Sequence, residues 1–296
     1  MTWQAVARKD FRDAVRSKWL WALSLLFVGV FTLPPILVFY LEMGATPPQG
    51  ESGTSDAFVY LMKQGTSVLI PLIAIVVAYA SITQERESGS LKLLLSLPHS
   101  REDVVFGKVL GRAGVLSLPI AIGFAVAAVV ILLTSLDFQF ANFALFAVLT
   151  VLLGVVFVGL SVGISAAAST GRRAMVAVIG FFFWFVILWN SFANQTVNLL
   201  NRYLDLAGQT QMELVLLLKL LNPTQAYKTL IDSFLLESAV QSRVMTFGFM
   251  RQQAAAQAFG DSLPVYLSNG FVVSYLLLWL LVPVAVGYWV FENADL

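Results

Sequence analysis

The chain has 296 residues, 58% of them hydrophobic and only 12% charged, with a formal net charge of +1. Soluble domains carry roughly a quarter charged residues, so this composition places the chain in a bilayer, and the near-balanced charge implies no nucleic-acid partner. With no cysteine and a single histidine, His99, disulfides, Cys nucleophiles and a multi-histidine metal site within one subunit are excluded.

In chain order, Thr2–Lys18 comes first. Trp3, Val6, Phe11 and Ala14 fall on one helical face, and Arg8, Lys9, Arg12 and Arg16 fall mainly on another. Thr2 is placed to cap the start. A basic amphipathic helix leading into an apolar run predicts an interfacial helix along the inner leaflet, with a plain extension of the first span as the alternative.

Six runs are long and apolar enough to cross a bilayer: Trp19–Leu41, Thr66–Thr83, Ala113–Thr134, Phe143–Ser165, Ala174–Phe192 and Phe271–Phe291. The first is too long for the apolar core of a signal peptide and no A-x-A site follows it, so it reads as a retained span. Pro34-Pro35 predicts a kink near its outer end. Trp19, Trp21, Trp189 and Trp289 lie near span ends and read as interface anchors. Gly159, Ser161 and Gly163 in the fourth run would let a neighbouring helix approach closely, as at a dimer contact.

Lys/Arg bias sets the orientation. Arg8, Lys9, Arg12, Arg16 and Lys18 precede span one; Arg86, Lys92, Arg101, Lys108 and Arg112 lie between spans two and three; Arg172 and Arg173 lie between spans four and five. On the other side, the connection between spans one and two carries only Lys63 and Leu136–Asn142 carries none, whereas 193–270 carries Arg202, Lys219, Lys228, Arg243 and Arg251. Both termini are therefore expected in the cytoplasm, with the 193–270 segment outside, because so long a loop is largely exempt from the charge rule. Within these boundaries the spans contain no Asp, Glu, Lys, Arg or His. A charge at mid-bilayer costs at least about 2.5–3.5 kcal/mol and marks ion pathways, so its absence counts against a proton pump, a voltage sensor or an ion-coupled carrier. No H-E-x-x-H occurs, and Gly107-Lys108 is followed by Val109, so the nucleotide-binding P-loop is also absent.

The charged block Gln84–Arg112 divides at Pro98. Leu91, Leu94 and Leu95 form a stripe at i, i+3, i+4, and Gly89 reads as a hinge. Pro98 stops the short helix. Ser100-Arg101-Glu102-Asp103 is a capping-box pattern that opens a helix running into span three, where Lys108 and Arg112 are expected to snorkel at the interface. The short helix is either a membrane-surface helix or a docking helix for a cytoplasmic partner. Beyond span five, Met212–Leu221 is apolar but too short to cross and ends at Asn222-Pro223, which predicts an interfacial or partly re-entrant helix. Lys228–Met250 is also helical in pattern. This external segment is either a docking surface or a lid, and its scattered Met212, Met245 and Met250 do not form a copper cluster.

ARKDFRDAVRSKW before span one and QERESGSLKLLLSLPHSREDVVFGKVLGR after span two resemble the ABC-2 class of ABC-transporter permeases, most of all the permease of the nitrous-oxide-reductase maturation system and its relatives. That family carries an "ARKEFRE"-like helix and an E-R-E-x-G-T-L-x-L-L-L-S-x-P-x-S-R loop ending in G-K. The match falls at Glu85, Arg86, Glu87, Gly89, Leu91, Leu93–Ser96, Pro98, Ser100, Arg101, Gly107 and Lys108, with Ser90 where Thr is usual. The resemblance covers nearly the whole chain and implies an all-α polytopic membrane protein, a single transmembrane domain over residues 1–296. It would have six transmembrane helices, an N-terminal amphipathic interfacial helix, a cytoplasmic coupling helix between spans two and three, and a helical external segment before span six.

The resemblance further implies a multi-pass permease of the cell membrane, of exporter type, with no catalytic residue, cofactor or metal of its own. ATP and Mg would sit on a separate ABC ATPase subunit present in two copies, opposite two permease copies that form a homodimer, with membrane lipid around them. Glu85, Arg86, Glu87, Gly89, Leu91, Leu94, Leu95 and Pro98 would form the ATPase interface, and Trp3, Arg8, Lys9, Phe11 and Arg12 the interfacial helix. A membrane scaffold for an envelope or metalloenzyme-maturation complex, without transport, is the competing expectation.

Overall fold

Six helices long and apolar enough to span a membrane organise the computed structural model. It describes residues 3–44, 53–91, 100–133, 139–235, 238–247, 252–260 and 263–294, and among them every regular element is helical. A short helix, α1 (Trp3–Val15), leads into α2 (Lys18–Gly44). The second span is α3 (Gly53–Ala78), which passes through a turn into the five-residue α4 (Thr83–Glu87). The third and fourth are α5 (Arg101–Leu133) and α6 (Phe140–Ala167). The fifth is a composite rod: α7 (Gly171–Phe183), a π-helical turn (Trp184–Leu188) and α8 (Trp189–Leu204). Then come α9 (Gly208–Leu220), α10 (Pro223–Leu235), α11 (Ala239–Met245), α12 (Gln252–Phe259), a 3-10 turn (Val265–Leu267) and the last span, α13 (Asn269–Glu292).

The helices overrun the apolar runs. α3 begins before Lys63, α5 begins at Arg101, and the fifth rod continues to Leu204. The chain keeps its helical hydrogen bonds until a cap or turn ends them, whereas an apolar count stops at the first charge. Serine and threonine inside the spans are satisfied locally: Ser24 Oγ donates to the Leu20 carbonyl, Thr32 Oγ1 to Val28, and Ser161 Oγ to Phe157.

Lipid tails are as apolar as leucine, so apolar burial alone does not fix how these helices pair. Glycine notches do much of it. α6 is the central post, flanked by α13, α5, α3 and α10. At its crossing with α13, a Cβ on Gly163 would sit on the Pro283 carbonyl oxygen and one on Gly287 would sit on the Gly163 carbonyl. Gly159 and Gly163 of the small stripe are therefore filled by α13 of the same chain, with Gly159 facing Leu280. Between α2 and α5, a Cβ on Gly123 would lie 2.6 Å from the Phe31 ring. That notch lets the Phe31 ring lie tilted against Phe124, with the ring centres 4.3 Å apart.

Directional bonds fix the rest. α9 and α10 form a hairpin whose tip, Leu221-Asn222-Pro223, enters the bundle. The Trp189 indole N–H donates to the Leu218 carbonyl at 2.7 Å, and that of Trp279 to the Leu221 carbonyl at 2.6 Å. Asn222 Nδ2 donates to the Phe185 carbonyl in the π-turn at 2.6 Å, while Asn222 Oδ1 caps α10 by accepting from the Thr224 N–H and hydroxyl. Phe185 lies 14 residues into its rod, about 20 Å from the start, so the hairpin tip packs well along that rod rather than at its end. Helix ends left inside a bilayer need such partners, since unpaired carbonyls there cost several kcal/mol each. The Tyr227 hydroxyl bonds Thr66 Oγ1 at 2.7 Å and Thr150 Oγ1 at 2.8 Å, tying α10 to α3 and α6. Trp189 is buried in this joint and is thus no surface anchor, unlike Trp19, Trp21 and Trp289, which stay exposed.

Candidate partner-docking end of the bundle

Around the charged block, five elements meet at one end of the bundle: α1, α4, the first turns of α5, the α6–α7 turn and the end of α13. α1 lies along α5 in the same direction. A Cβ on Gly107 would come within 2.6 Å of Val6 Cβ, one on Gly111 within 2.9 Å of Asp10 Cβ, and one on Gly114 within 3.1 Å of the Phe11 ring. Gly107, Gly111 and Gly114 sit at helical spacing and form a trough for the apolar side of α1. Val6 is buried and Phe11 half-buried there, while Arg8, Lys9 and Arg12 stay exposed on the other face. Trp3, partly exposed, anchors through its backbone: its N–H donates to Asp103 Oδ1 at 2.8 Å. Thr2, read from sequence as the cap, lies outside the described residues.

The capping box at the start of α5 forms. The Ser100 N–H donates to Asp103 Oδ2 at 3.2 Å and the Asp103 N–H donates to Ser100 Oγ at 3.0 Å. Further along α5, Lys108 does not snorkel. It is 2% exposed, and its Nζ donates to Asp10 Oδ1 at 2.8 Å and to Glu85 Oε1 at 2.6 Å. The trough brings Asp10 against Lys108, and the Gly89 turn holds α4 over it. Arg112 completes the group, with Nε 3.2 Å from Asp10 Oδ2 and Nη1 donating to the Val77 carbonyl at 3.1 Å.

α4 faces the other way through its remaining residues. The Ile82 and Thr83 N–H groups donate to Ser165 Oγ at 3.2 and 3.3 Å. Arg86 Nη1 donates to the Ala168 carbonyl at the end of α6 at 2.8 Å. Glu87 Oε1 accepts from the Gly171 N–H, the first turn of α7, at 2.8 Å, where a carboxylate complements the helix dipole. Arg101 Nη1 caps α13 by donating to the carbonyls of Phe291, Glu292 and Ala294 at 2.5, 2.8 and 2.9 Å. The Arg86 and Arg101 guanidinium carbons each lie 5.5 Å from the Phe291 ring centre. Gly89 has φ +73°, the left-handed conformation that ends α4 at no steric cost. Leu91 is buried in the chain's own core.

Of the residues assigned to partner docking, Glu85, Arg86 and Glu87 are thus brought together as ties between the block and the bundle, with Gly89 as their turn and Leu91 beneath. Leu94, Leu95 and Pro98 lie outside the described residues. Asp10, Gly111, Gly114 and Ser165 carry as much of the geometry, and composition-led reading passes over them. Asp10 was legible, since it falls one helical turn after Val6 on the same face. Among the described residues no group of three or more His, Cys, Asp or Glu could hold a metal ion.

The family model described as ABC-2 family transporter protein matches residues 4–296. The chain is 34% identical over 227 residues to the "Probable ABC transporter permease protein NosY" of Pseudomonas aeruginosa, covering 75% of this chain and 78% of that protein. It is 32% identical, with the same coverage, to the protein of that name from Stutzerimonas stutzeri. The trough that seats α1, the E-R-E block tied to the bundle and six spans therefore sit in a matched chain: it belongs to the ABC-2 family of transporter proteins, as a multi-pass permease subunit rather than an enzyme.

Proposed function

We propose that the chain is one transmembrane domain that couples ATP hydrolysis on a separate ABC ATPase to outward movement of a substrate across the cell membrane. The segment between α4 and α5 is the coupling element. Its docking surface is carried by Leu94, Leu95 and Pro98, and Glu85, Arg86, Glu87, Gly89 and Leu91 form its root. In the working unit two copies of this chain form a homodimer and meet two ATPase copies, which hold the ATP and Mg. The α1 end faces the cytoplasm, with Trp3, Arg8, Lys9, Phe11 and Arg12 holding α1 at the inner leaflet. Both termini lie on that side, and residues 193–270 belong to the opposite side.

The observation that carries this reading is the anchoring of both roots of the segment. On the α4 side the ties reach α5, α6 and α7 through Lys108–Glu85, Ser165, Arg86 and Glu87. On the α5 side they reach α1 and α13 through Asp103 and Arg101. A push on the segment is delivered at once to α6 and α7 from one root and to α1 and α13 from the other, as a lever requires. A surface helix serving only to bridge two spans needs no such ties.

Leu94→Asp combined with Leu95→Asp tests it. Buried leucines contribute up to about 1.5–3 kcal/mol each at an interface, so copurification of the ATPase and transport should both be lost while the permease keeps its folded yield. If both survive, docking lies elsewhere. If an ATPase-dead partner leaves cellular function intact, the chain is instead a scaffold for an envelope or metalloenzyme-maturation complex.

A further inference from the structure

Between α1, α2, the end of α3 and α5 lies a cavity of about 630 Å³, within the size range of small-molecule sites. Three elements line it with the same gradient of polarity along the bundle. On α3 and α4 the lining runs from Ile73 and Val76 through Ser81 to Glu85. On α5 it runs from Val115 to Arg112 and Lys108, and on the α2 side from Leu23 and Leu20 to Ser17. The polar floor lies at the α1 end. Trp19 and Val76, 76% and 61% exposed, stand at the rim between α2 and α3. An occupant must therefore be an amphiphile, with its head at the floor and its chain leaving sideways past Trp19.

The floor also selects the head. Its cations are engaged: Lys108 by Asp10 and Glu85, Arg112 by Asp10 and the Val77 carbonyl. Of the lining atoms without a hydrogen bond, Asp10 Oδ2 and Arg112 Nε face each other as an ion pair at 3.2 Å, which leaves Glu85 Oε2 and the hydroxyl of Ser81, a residue 3% exposed. Buried polar atoms left unpaired are costly, and an unpaired carboxylate oxygen calls for a donor. Lining acids (Asp10, Asp13, Glu85) and bases (Lys9, Lys108, Arg112) balance, so the site suits a zwitterion rather than a net anion. We propose that this cavity holds an aminophospholipid from the leaflet at the α1 end. Its primary ammonium donates to Glu85 Oε2 and Ser81 Oγ, Lys9 lies beside its phosphate, and an acyl chain passes between Trp19 and Val76. A quaternary ammonium has no N–H to donate and fits less well.

The full-length protein is reconstituted in nanodiscs of equimolar phosphatidylethanolamine, phosphatidylcholine and phosphatidylglycerol, re-extracted, and its retained lipid counted by native mass spectrometry. One phosphatidylethanolamine per chain is expected, favoured about ten-fold over the other two, the size of one charge-assisted hydrogen bond. Glu85→Gln should abolish the preference. Val76→Trp, at the rim and outside the ion network, should abolish retention in a protein of unchanged thermal stability. Equal retention of the three lipids, preference for phosphatidylglycerol, or a preference that survives both substitutions overturns the proposal. So does complete displacement by soluble phosphoethanolamine, which would make this a site for a water-soluble solute.

Discussion

The backbone N–H of Trp3 and the Asp103 carboxylate meet at 2.8 Å across 100 residues of sequence. The same carboxylate accepts from the Ser100 N–H at the start of α5, so one side chain closes the first turns of two parallel helices. Each cap contributes about 1 kcal/mol. Asp103→Ala should therefore lower stability by about 2 kcal/mol and raise hydrogen exchange across the first turns of α1 and α5, leaving α6 unchanged. Unaltered exchange in α1 would show that the Trp3 bond contributes nothing in solution.

Lys108 sits between Asp10 and Glu85 with almost no solvent. Removing the cation strands Glu85 and leaves Asp10 with Arg112 alone, and breaking a buried pair from one side costs about 3–5 kcal/mol. Lys108→Met should lower the detergent melting temperature strongly. Adding Asp10→Asn and Glu85→Gln should recover much of the loss, because the charges that needed the cation are gone. No recovery in the triple variant would mean that Lys108 acts through packing alone.

At the α6–α13 crossing, backbone meets backbone at Gly163 and Gly287 with no room for a methyl group. Gly163→Ala or Gly287→Ala should abolish a monodisperse peak in size-exclusion chromatography. Gly29→Ala and Gly180→Ala, where nothing lies within 4 Å of the added carbon, should elute as the parent does. Equal behaviour of all four would contradict this packing.

The α9–α10 hairpin depends on indole donors. Trp279→Phe keeps the ring but removes the N–H from the Leu221 carbonyl, at a cost of about 1–3 kcal/mol for an orphaned buried acceptor. Hydrogen exchange should rise around residues 218–224 more than anywhere in α5. Exchange that rises uniformly would argue against a local role.

In the segment before α13, Arg243 is fully buried and pairs with no acid among the described residues, donating to the Leu267 carbonyl, Ser242 Oγ and Asn269 Oδ1. Burial pushes its pKa down to about 10, so it is still cationic at neutral pH. Arg243→Lys keeps the charge but loses the fork that spans three acceptors. It should destabilise the protein nearly as much as Arg243→Met, measured by thermal unfolding; full rescue by lysine would show that charge alone suffices.

Much of the architecture was legible because its causes are local. A run of about 20 apolar residues must satisfy its own backbone in lipid and becomes a helix wherever it sits, so six runs became six spans. Ser100 and Asp103 are three residues apart, so their cap was readable, as were the break at Asn222-Pro223 and the turn at Gly89. Partners could not be read the same way. The same glycine pattern in α6 suits another copy or another span, and only the assembled bundle assigns it to Gly287. Lys108 looked like an interfacial cation because its counter-charges lie 98 and 23 residues away. Trp189 looked like an anchor because its acceptor lies on a helix that folds back into the bundle. Hydropathy and capping are properties of contiguous residues, and a linear chain displays them. Which donor meets which acceptor across the bundle depends on where two distant helices come to rest, and that was decided only when the helices packed.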